Sequence, residues 1–341
     1  MTKITEKENF MLYMTGQHPH WVPRYDMGPN PYSKYPSAIS MASPSFLRGN
    51  RTPEGGFDIF GVEYVVSAET SGAAIPKPND FILDDITKWR DIIKVPDISN
   101  IDWETMAKKD MASINRETTA VTLSIHVGYF QTLMAFMGFS EGLCAMFEEP
   151  DEVMELYSYL SDFYVKVIDK AMQYYKPDIF GLTDDTATAR DPFVSLDMFK
   201  TMLMPFYREQ TKAAVNAGIP VMVHNCGRCE DHIEDWFELG ITAWNPAQMM
   251  NDLDGIKEKY GMKLGLCGCW DSAGPVNWPS ATEELIRTKC RETIDRFAPG
   301  GGFCFWGSTY GPIGDQTVEN RKRWLTEEYE DYGRSFYEKM G

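Results

Sequence analysis

The sequence lacks the features that would assign the chain to a membrane or to the cell exterior. No apolar run reaches the ~18 residues that a membrane-spanning helix needs. The first residues, MTKITEKENF, contain no apolar core of a signal peptide. The 7 cysteines are an odd number in a long chain without an export signal, which indicates reduced thiols and no disulfide framework. These absences predict a cytoplasmic protein with no membrane contact.

Positive charge is also scarce in this chain. Lys and Arg together number 33 against 50 Asp and Glu, which gives a net charge of −17. No basic stripe is visible that would neutralise nucleic-acid phosphates, so we expect no nucleic-acid partner. The phosphate-binding patterns G-x-x-x-x-G-K-[ST] and G-x-G-x-x-G after a strand are missing, and so is the G-x-S-x-G elbow of serine hydrolases. Nucleotide binding and serine hydrolysis are therefore disfavoured.

What the sequence does contain is an alternation of short apolar runs with amphipathic helical patterns. With 43% apolar and 13% aromatic residues, the 341-residue chain can build a large core. The apolar runs, each ending in polar or small residues, span 20–25, 120–127, 178–185, 220–226, 241–248, 263–269 and 301–308. Strands that alternate with helices predict parallel β/α units, and so many units favour a single (β/α)8 TIM-type barrel. A doubly wound open sheet is the alternative. The first ~110 residues fit less well, and the turn-rich stretch 30–56 predicts a lid or long loop over the barrel mouth.

The polar and aromatic residues at the predicted strand ends are the candidates for a substrate site, because chemistry in such barrels lies at the carboxyl ends of the strands. Several aromatic rings around one mouth would build an apolar, flat-sided pocket, and amide side chains would orient a ligand by hydrogen bonds. Most aromatic residues simply belong to a core, which is the alternative here. The candidates for substrate binding are Arg24, Tyr25, Tyr129, Asn245, Gln248, Trp270, Trp306 and Tyr310.

The segment PVMVHNCGRC carries the strongest pattern for a metal site. Side chains alternate along a strand, so His224 and Cys226 face the same side. An imidazole and a thiol at the end of a strand suit zinc, and Cys269, just beyond another strand, is the best third ligand. Buried cysteine also behaves as a small apolar side chain, and we interpret the remaining cysteines in that way. Cys229 completes a C-x-x-C pattern, but without a second such pair a zinc ribbon is weakly supported.

The candidates for proton transfer are Asp184, Asp185 and His126. The two aspartates directly follow an apolar run, and only one of them can face the barrel mouth because consecutive strand residues point in opposite directions. A carboxylate there would donate or accept a proton, particularly if burial raises its pKa. The alternatives are a helix N-cap or a partner of Arg190 for the aspartates, and a hydrogen-bonded core residue for the histidine.

Over nearly its whole length the sequence resembles the uroporphyrinogen decarboxylase superfamily, including its cobalamin-linked methyltransferase branch. The stretches that carry this resemblance are KENFMLYMTGQHPHWVPRY, GYFQTLMAFMGFSEGLCAMFEEPDEVMELY, LTDDTATARDPFVSLDMFKTMLMPFYREQ and WNPAQMMNDLDGIKEKYGMKLGLCGCWD. The resemblance implies one barrel domain over 1–341. The motif HNCG resembles the H-x-C-G of zinc-dependent methyltransferases, which implies that His224 and Cys226 are zinc ligands.

Two departures from the family pattern select among its activities. Thiol-directed members have another cysteine after the last strand and decarboxylases have a histidine, whereas this chain reads FWGSTYGP. The arginine-rich pattern that decarboxylases use for porphyrin carboxylates is reduced to Arg24, which disfavours a polyanionic tetrapyrrole. The resemblance therefore implies methyl transfer from a small methoxylated aromatic donor to the corrinoid of a partner protein, as in O-demethylases. The alternatives are methyl transfer from the corrinoid to a thiol, a uroporphyrinogen-type decarboxylase, and a non-catalytic barrel that binds a corrinoid or its carrier.

Overall fold

The main sheet of the protein is a curved layer of parallel strands. The computed structural model describes residues 4–26, 28–67, 73–125, 128–312 and 314–340. The strands are β1 (Ile39–Ala42), β2 (Gly55–Phe57), β3 (Glu63–Val65), β4 (Ile75–Pro76), β5 (Ala120–Ser124), β6 (Ile179–Thr183), β7 (Val221–His224), β8 (Ile241–Ala247), β9 (Gly265–Gly268) and β10 (Phe303–Phe305). Seven of them pair side by side in the order β1-β5-β6-β7-β8-β9-β10, and every pair is parallel.

The eighth position of the barrel is taken by an extended segment near the N-terminus. The backbone N–H of Tyr25 donates to the carbonyl of Phe305 at 2.9 Å, and the N–H of Phe305 donates to the carbonyl of Pro23 at 2.8 Å. Arg24 and Phe305 accordingly form a parallel bridge. The predicted TIM-type barrel is confirmed, and the open-sheet alternative is wrong.

One barrel strand lies where the sequence predicted only a lid or loop. The strand β1 occupies the middle of the turn-rich stretch 30–56 and pairs with β5 through the register Ile39↔Ala120 to Ala42↔Leu123. It has four residues, lies between Pro36 and Pro44, and contains Ser40 among its apolar residues. So short a segment between prolines carries no recognisable strand pattern, and its place in the barrel follows from pairing with β5.

Helices cover the outside of the barrel and follow the strands in alternation. They are α1 (Glu6–Met14), α2 (Trp89–Ile92), α3 (Trp103–Asp110), α4 (Tyr129–Met137), α5 (Phe139–Glu148), α6 (Pro150–Tyr175), α7 (Leu196–Met198), α8 (Met204–Asn216), α9 (Ile233–Glu238), α10 (Leu253–Tyr260), α11 (Glu283–Phe297), α12 (Gln316–Tyr332) and α13 (Phe336–Met340). The long α6 begins with Pro150 in its first turn and buries one face from Val153 to Tyr175. In the described part of the chain, no helix has an apolar stretch long enough to cross a bilayer.

A layer of side chains fills the barrel interior. It includes one from each of the seven barrel strands and one from the extended segment 23–25 that takes the eighth position. Its members are Tyr25, Ile39, Ala120, Ile179, Met222, Ala243, Cys267 and Cys304, with Ala38 beside them. Phe10, Tyr13 and Met14 of α1 belong to the same buried cluster, so α1 closes the barrel at the amino ends of its strands. With that end closed, the opposite end, where the strands finish, is the mouth available to ligands.

A small antiparallel sheet lies beside the mouth. Strands β2, β3 and β4 form this sheet, paired through Gly55↔Val65 and Tyr64↔Pro76. It belongs to the first ~110 residues, which therefore supply a barrel strand, the closing segment, the helix α1 and this sheet. Residues of β3 and β4 line a cavity together with the ends of β1 and β5.

Candidate metal centre and substrate cavity

Three ligand-type side chains meet at the carboxyl ends of β6 and β7. Residues Asp185, His224 and Cys226 each offer one ligand atom, and these atoms lie within 4.8 Å of one another. The His224 Nε2 atom is 3.7 Å from the Cys226 sulfur and 3.9 Å from Asp185 Oδ1. Because Thr183 of β6 pairs with His224 of β7, the residues two positions further along each strand, Asp185 and Cys226, also become neighbours. The predicted pair of His224 and Cys226 is thus brought together with one of the two aspartates.

Neighbouring side chains hold the imidazole with Nε2 towards this cluster. The Nδ1 atom of His224 lies 2.9 Å from Asn245 Oδ1, so Nδ1 carries the hydrogen and Nε2 keeps its lone pair free. A hydrogen bond on the far nitrogen of a histidine fixes its tautomer and ring orientation, as in known metal sites. Asn245 was predicted to bind substrate, and in the structure it orients the imidazole of His224.

The loop that carries Cys226 is held by side chains from β8 and beyond. The N–H of Cys226 donates to Asp185 Oδ1 at 2.8 Å, and the N–H of Gly227 donates to Gln248 Oε1 at 2.6 Å. Gly227 has a φ of +100°, and a Cβ there would lie 2.6 Å from the carbonyl oxygen of Thr188. Only glycine fits this turn. Gln248, which was also predicted to bind substrate, therefore holds the loop that carries Cys226.

The donor set of this cluster fits zinc. Thiolate, imidazole and carboxylate are the side chains that bind Zn²⁺, and a site with three protein ligands leaves a fourth position open for chemistry. Burial raises the pKa of the Cys226 thiol to about 12, and the negative charge of Asp185 acts in the same direction. A thiol with this pKa is protonated at neutral pH, whereas a bound divalent cation deprotonates it. The site therefore suits a cation in the middle of the cluster.

Cys269, predicted as the third ligand, does not lie in this cluster. The side chain of Cys267 faces the barrel interior, so regular alternation would have turned Cys269 inward as well. However, Gly268 and Cys269 have φ values of +119° and +53°, which break the alternation at the end of β9. The Cys269 thiol is instead fully buried in the outer core near Lys257 and Arg296. Asp185, and not Cys269, is the third ligand-type side chain beside His224 and Cys226.

The two consecutive aspartates have separate environments. Asp184 faces away from the mouth, where its carboxylate accepts hydrogen bonds from the N–H groups of Phe130 and Gln131 at 2.9 and 3.0 Å and from the Tyr207 hydroxyl at 2.6 Å. Burial raises the pKa of Asp184 to about 7, against the effect of these three hydrogen bonds. The carboxylate thus binds the first turn of α4, as a capping group does. Its predicted catalytic role has no support from this position, because the side chain is only 3% exposed.

Asp185 faces the mouth and belongs to two sites at once. Its Oδ1 lies at the metal cluster, while its Oδ2 accepts a hydrogen bond from Gln131 Nε2 at 3.3 Å. Both Asp185 and Gln131 line a cavity of about 830 Å³ between the strand ends and the small sheet. The volume is within the range of pockets that bind small organic ligands. A ligand in this cavity would be in contact with the edge of the metal cluster.

Most of the cavity wall is apolar. Phe193 stacks on Phe130 with ring centroids 5.4 Å apart, and Phe139 meets Phe193 edge-on at 4.8 Å. On the opposite side of the cavity, Tyr64 of β3 and Phe60, between β2 and β3, contribute two further rings. Such a wall suits a flat, apolar ligand body.

Four of the predicted substrate residues have other tasks. Arg24 donates to Asp26 and Ser33 at 2.9 and 2.8 Å, so its charge is used inside the protein. Tyr129 is fully buried and packs against Tyr157 and Phe206 behind the mouth. Trp270 is buried and donates from Nε1 to the carbonyl of Ser308 at 2.9 Å. Tyr310 is 53% exposed and lines a separate surface pocket beside α12.

Two of the residues predicted to bind substrate, Tyr25 and Trp306, lie close to the barrel axis. Trp306 packs against the inner cluster and contacts Tyr25 with ring centroids 4.8 Å apart, so these two aromatic rings line the upper interior. His126, the third predicted catalytic residue, lies outside the described residues.

The sequence did not indicate that Asp185 lies beside His224 and Cys226, nor which polar groups line the cavity. The position of Asp185 at the end of a strand was visible, but its proximity to Cys226 depends on the register between β6 and β7. Gln131 belongs to the first turn of α4, and Arg48 and Arg51 belong to the segment between β1 and β2. None of these three follows an apolar run directly, so a search restricted to strand ends excludes them.

Comparison with known proteins agrees with this fold. The family model described as Uroporphyrinogen decarboxylase (URO-D) matches residues 62–308, and the chain belongs to this family. Among solved structures, a methyltransferase from Methanosarcina mazei is similar with a TM-score of 0.60 and 12% identity, covering 96% of this chain and 99% of that one. A B12-independent methionine synthase from Shewanella sp. W3-18-1 in complex with selenomethionine gives a TM-score of 0.44 and 12% identity, covering 86% and 82%. Comparison with curated proteins finds no match.

Proposed function

We propose that this protein is a zinc-dependent methyltransferase that moves a methyl group from a small methoxylated aromatic molecule to the corrinoid of a partner protein. The observation that carries the proposal is the cluster of Asp185, His224 and Cys226 at the edge of an aromatic cavity. The sequence resembles the cobalamin-linked methyltransferase branch of this family, and that resemblance agrees with this activity.

The metal would be held by the three side chains of the cluster, with Asn245 orienting His224. A bound zinc ion supplies positive charge that stabilises an oxygen atom as it becomes negative. The chain contributes the position of the ligands and a partly buried environment in which such charge acts strongly. Asp185 is the carboxylate on the cavity wall, so we assign any proton exchange with the substrate to this residue and not to Asp184.

The substrate would lie in the cavity with its ring against Phe130 and Phe193. In the reaction the bond between the methyl carbon and the ether oxygen breaks, the oxygen keeps the electron pair, and the reduced corrinoid supplies the pair for the new bond. The methyl group must therefore be accessible to a partner protein at the barrel mouth. The resemblance to O-demethylases and the apolar cavity both favour this direction over transfer to a thiol.

The test is a reaction with defined components. The purified protein loaded with zinc is mixed with a reduced cobalamin and a methoxybenzene, and the phenol and the methylated corrinoid are measured together. We expect equal amounts of both products, and none when the protein or the reductant is omitted. The His224→Ala variant is the matched control and should form neither product.

Three results would contradict the proposal. Consumption of methylcobalamin by an added thiol, with no reaction of any aryl ether, would identify the opposite direction of transfer. Release of carbon dioxide from a carboxylated tetrapyrrole would identify a decarboxylase. Saturable binding of the corrinoid without turnover of either substrate class would identify a non-catalytic binding protein.

A further inference from the structure

Two arginines lie on the wall of the aromatic cavity. Arg48 and Arg51 belong to the segment between β1 and β2 and both line the cavity of about 830 Å³. Among the described residues, neither guanidinium group forms an ion pair with a carboxylate. Neither arginine directly follows an apolar run of the sequence, and the proposed reaction does not use them. A pair of guanidinium groups on a cavity wall is unexpected in a chain with a net charge of −17.

One acidic residue on the same wall, Asp58, is hydrogen-bonded to the backbone and also interacts electrostatically with Arg51. The carboxylate of Asp58 accepts hydrogen bonds from the N–H groups of Phe60 and Val62 at 2.8 and 3.0 Å. It thereby stabilises the turn between β2 and β3. This part of the cavity consequently carries two positive charges against one negative charge that is already hydrogen-bonded.

The segment that carries the arginines is packed closely against β2. A Cβ at residue 49 would lie 2.6 Å from the carbonyl oxygen of Phe57, and a Cβ at residue 56 would lie 2.6 Å from the carbonyl oxygen of Asn50. The guanidinium carbon of Arg51 lies 4.6 Å from the centre of the Tyr64 ring, and its Nε donates to the carbonyl of Arg48 at 3.3 Å. These contacts hold the guanidinium of Arg51 in place before a ligand binds, which reduces the entropy lost on binding.

Polar residues of the cavity wall also include Ser43, Asp58, Ser124 and Thr132, but two pairs of polar groups are the ones that we expect to contact a ligand. One pair is Gln131 and Asp185 at the edge of the metal cluster, and the other is Arg48 and Arg51 near the small sheet. Aromatic and aliphatic side chains, among them Phe130, make up most of the remaining wall. A ligand that satisfies all three parts has a polar reacting end, an apolar ring and an anionic end.

We propose that the substrate of this protein is an aromatic carboxylate and that Arg48 and Arg51 bind its carboxylate group. The planar guanidinium group matches a carboxylate through paired hydrogen bonds, and such charge-assisted bonds are among the strongest in proteins. The assignment of the opposite end as the methyl donor depends on the proposed function, but binding of the carboxylate does not depend on it.

The experiment compares acids with their neutral amides in a binding measurement that needs no methyl acceptor. The full-length protein is titrated in a calorimeter with 4-methoxybenzoate and 4-methoxybenzamide, and likewise with 4-methoxyphenylacetate and its amide. We expect the wild-type protein to bind the acid ~10-fold or more tightly than the amide. In the double variant Arg48→Gln, Arg51→Gln this preference should disappear while the affinity for the amides stays unchanged. Arg323→Gln, on the exposed face of α12, is the control and should keep the preference of the wild type.

The possible results separate this inference from the proposed function. Equal affinity for acid and amide, no detectable binding of either acid, or a preference that survives in the double variant would each overturn the assignment of the arginines. If the preference depends on the arginines but no methyl transfer occurs, the carboxylate site stands and the proposed reaction fails. If methoxybenzoates react with a KM that the double variant does not change, the reaction stands and the carboxylate site fails.

Discussion

The two sides of the barrel mouth are built in different ways. On the side of β6, β7 and β8, short hydrogen bonds connect polar residues into one network that includes Asp185, His224 and Asn245. We refer to this as the polar side. On the side of β1, β5 and the small sheet, the wall consists mainly of rings and aliphatic chains around an open volume. We refer to this as the cavity side.

The difference between the two sides follows from what each would bind. A metal ion requires ligand atoms at fixed distances, so each ligand on the polar side is held by a neighbour that fixes its orientation. An organic ligand is held largely by burial of its surface, which depends on shape and less on single bonds. Asp185 belongs to both sides. For the other residues, we expect substitutions on the cavity side to leave zinc binding intact and substitutions on the polar side to leave binding of the aromatic ligand intact.

The largest effect is expected from removal of a metal ligand. Cys226→Ala should lose zinc and reduce methyl transfer by ~10³-fold, because the loss of the cation removes several kcal/mol of charge stabilisation. Zinc content by elemental analysis and the rate with a methoxybenzene are the measurements. Cys269→Ala is the matched control, since this thiol is buried away from the cluster, and it should retain one zinc per chain. Loss of zinc in Cys269→Ala as well as in Cys226→Ala would restore the ligand set predicted from the sequence alone, and full zinc content in Cys226→Ala would exclude both ligand sets.

A smaller effect is expected when the orientation of the ligand histidine is lost. Asn245→Ala removes the hydrogen bond to His224 Nδ1 and should weaken zinc affinity about 10- to 100-fold, as substitutions around ligating histidines do. Competition with a zinc chelator measures this change. Binding of an aromatic ligand to the metal-free protein should stay the same. A variant with unaltered zinc affinity would show that the imidazole is held in other ways.

A substitution on the cavity side should weaken binding of the substrate and leave zinc binding unchanged. Phe193→Ala removes a ring stacked on Phe130, and we expect the KM for an aromatic substrate to rise about tenfold from the loss of ring contact. Zinc content should not change, because Phe193 supplies no ligand atom to the cluster. A loss of zinc in this variant would mean that the two sides do not act separately.

The smallest effect concerns a histidine that lies beyond the polar network. His232 is fully buried and stacks on Phe199 with ring centroids 3.9 Å apart, and burial lowers the pKa of its imidazole to about 4. Since an ordinary histidine has a pKa of about 6.5, the unfolded chain binds this proton more strongly between these two values. The free energy of unfolding should therefore fall as the pH decreases through this window, by about 1 kcal/mol between pH 7.5 and 5.5.

Replacement of His232 isolates this contribution to the pH dependence. The variant His232→Phe keeps an aromatic ring against Phe199 and removes the titrating group, so its loss of stability between pH 7.5 and 5.5 should be smaller than that of the wild type. Urea unfolding at several pH values measures the difference. Parallel curves for the two proteins would exclude His232 as a source of acid sensitivity.

The sequence predicted the regular parts of the fold well. Each of the seven apolar runs contains a barrel strand or the closing segment 23–25, because continuous apolar runs are typical of strands buried on both faces. It failed for β1, which is short and lies between prolines. A strand of this kind is defined by its pairing with β5, and pairing is a long-range property.

The site was predictable only where one strand determines the geometry. His224 is the last residue of β7 and Cys226 lies two residues further along the chain, so continued alternation brings them to one side. The third member depends on the register between two strands, and the conformation of Gly268 and Cys269 depends on the packing after β9. Neither can be derived from local spacing, which explains why the sequence favoured Cys269 over Asp185 as a metal ligand.

The opposite orientations of Asp184 and Asp185 limit where the chain can accept insertions and deletions. Asp184 is bound to α4 so closely that a Cβ at residue 128 would lie 2.2 Å from its Oδ1, while Asp185 completes the metal cluster. Adding or removing one residue at the end of β6 would reverse both orientations, with one carboxylate lost from each place. We therefore expect homologous chains that keep this cluster to vary in loop length after Asp185 and to conserve the number of residues between β6 and this aspartate.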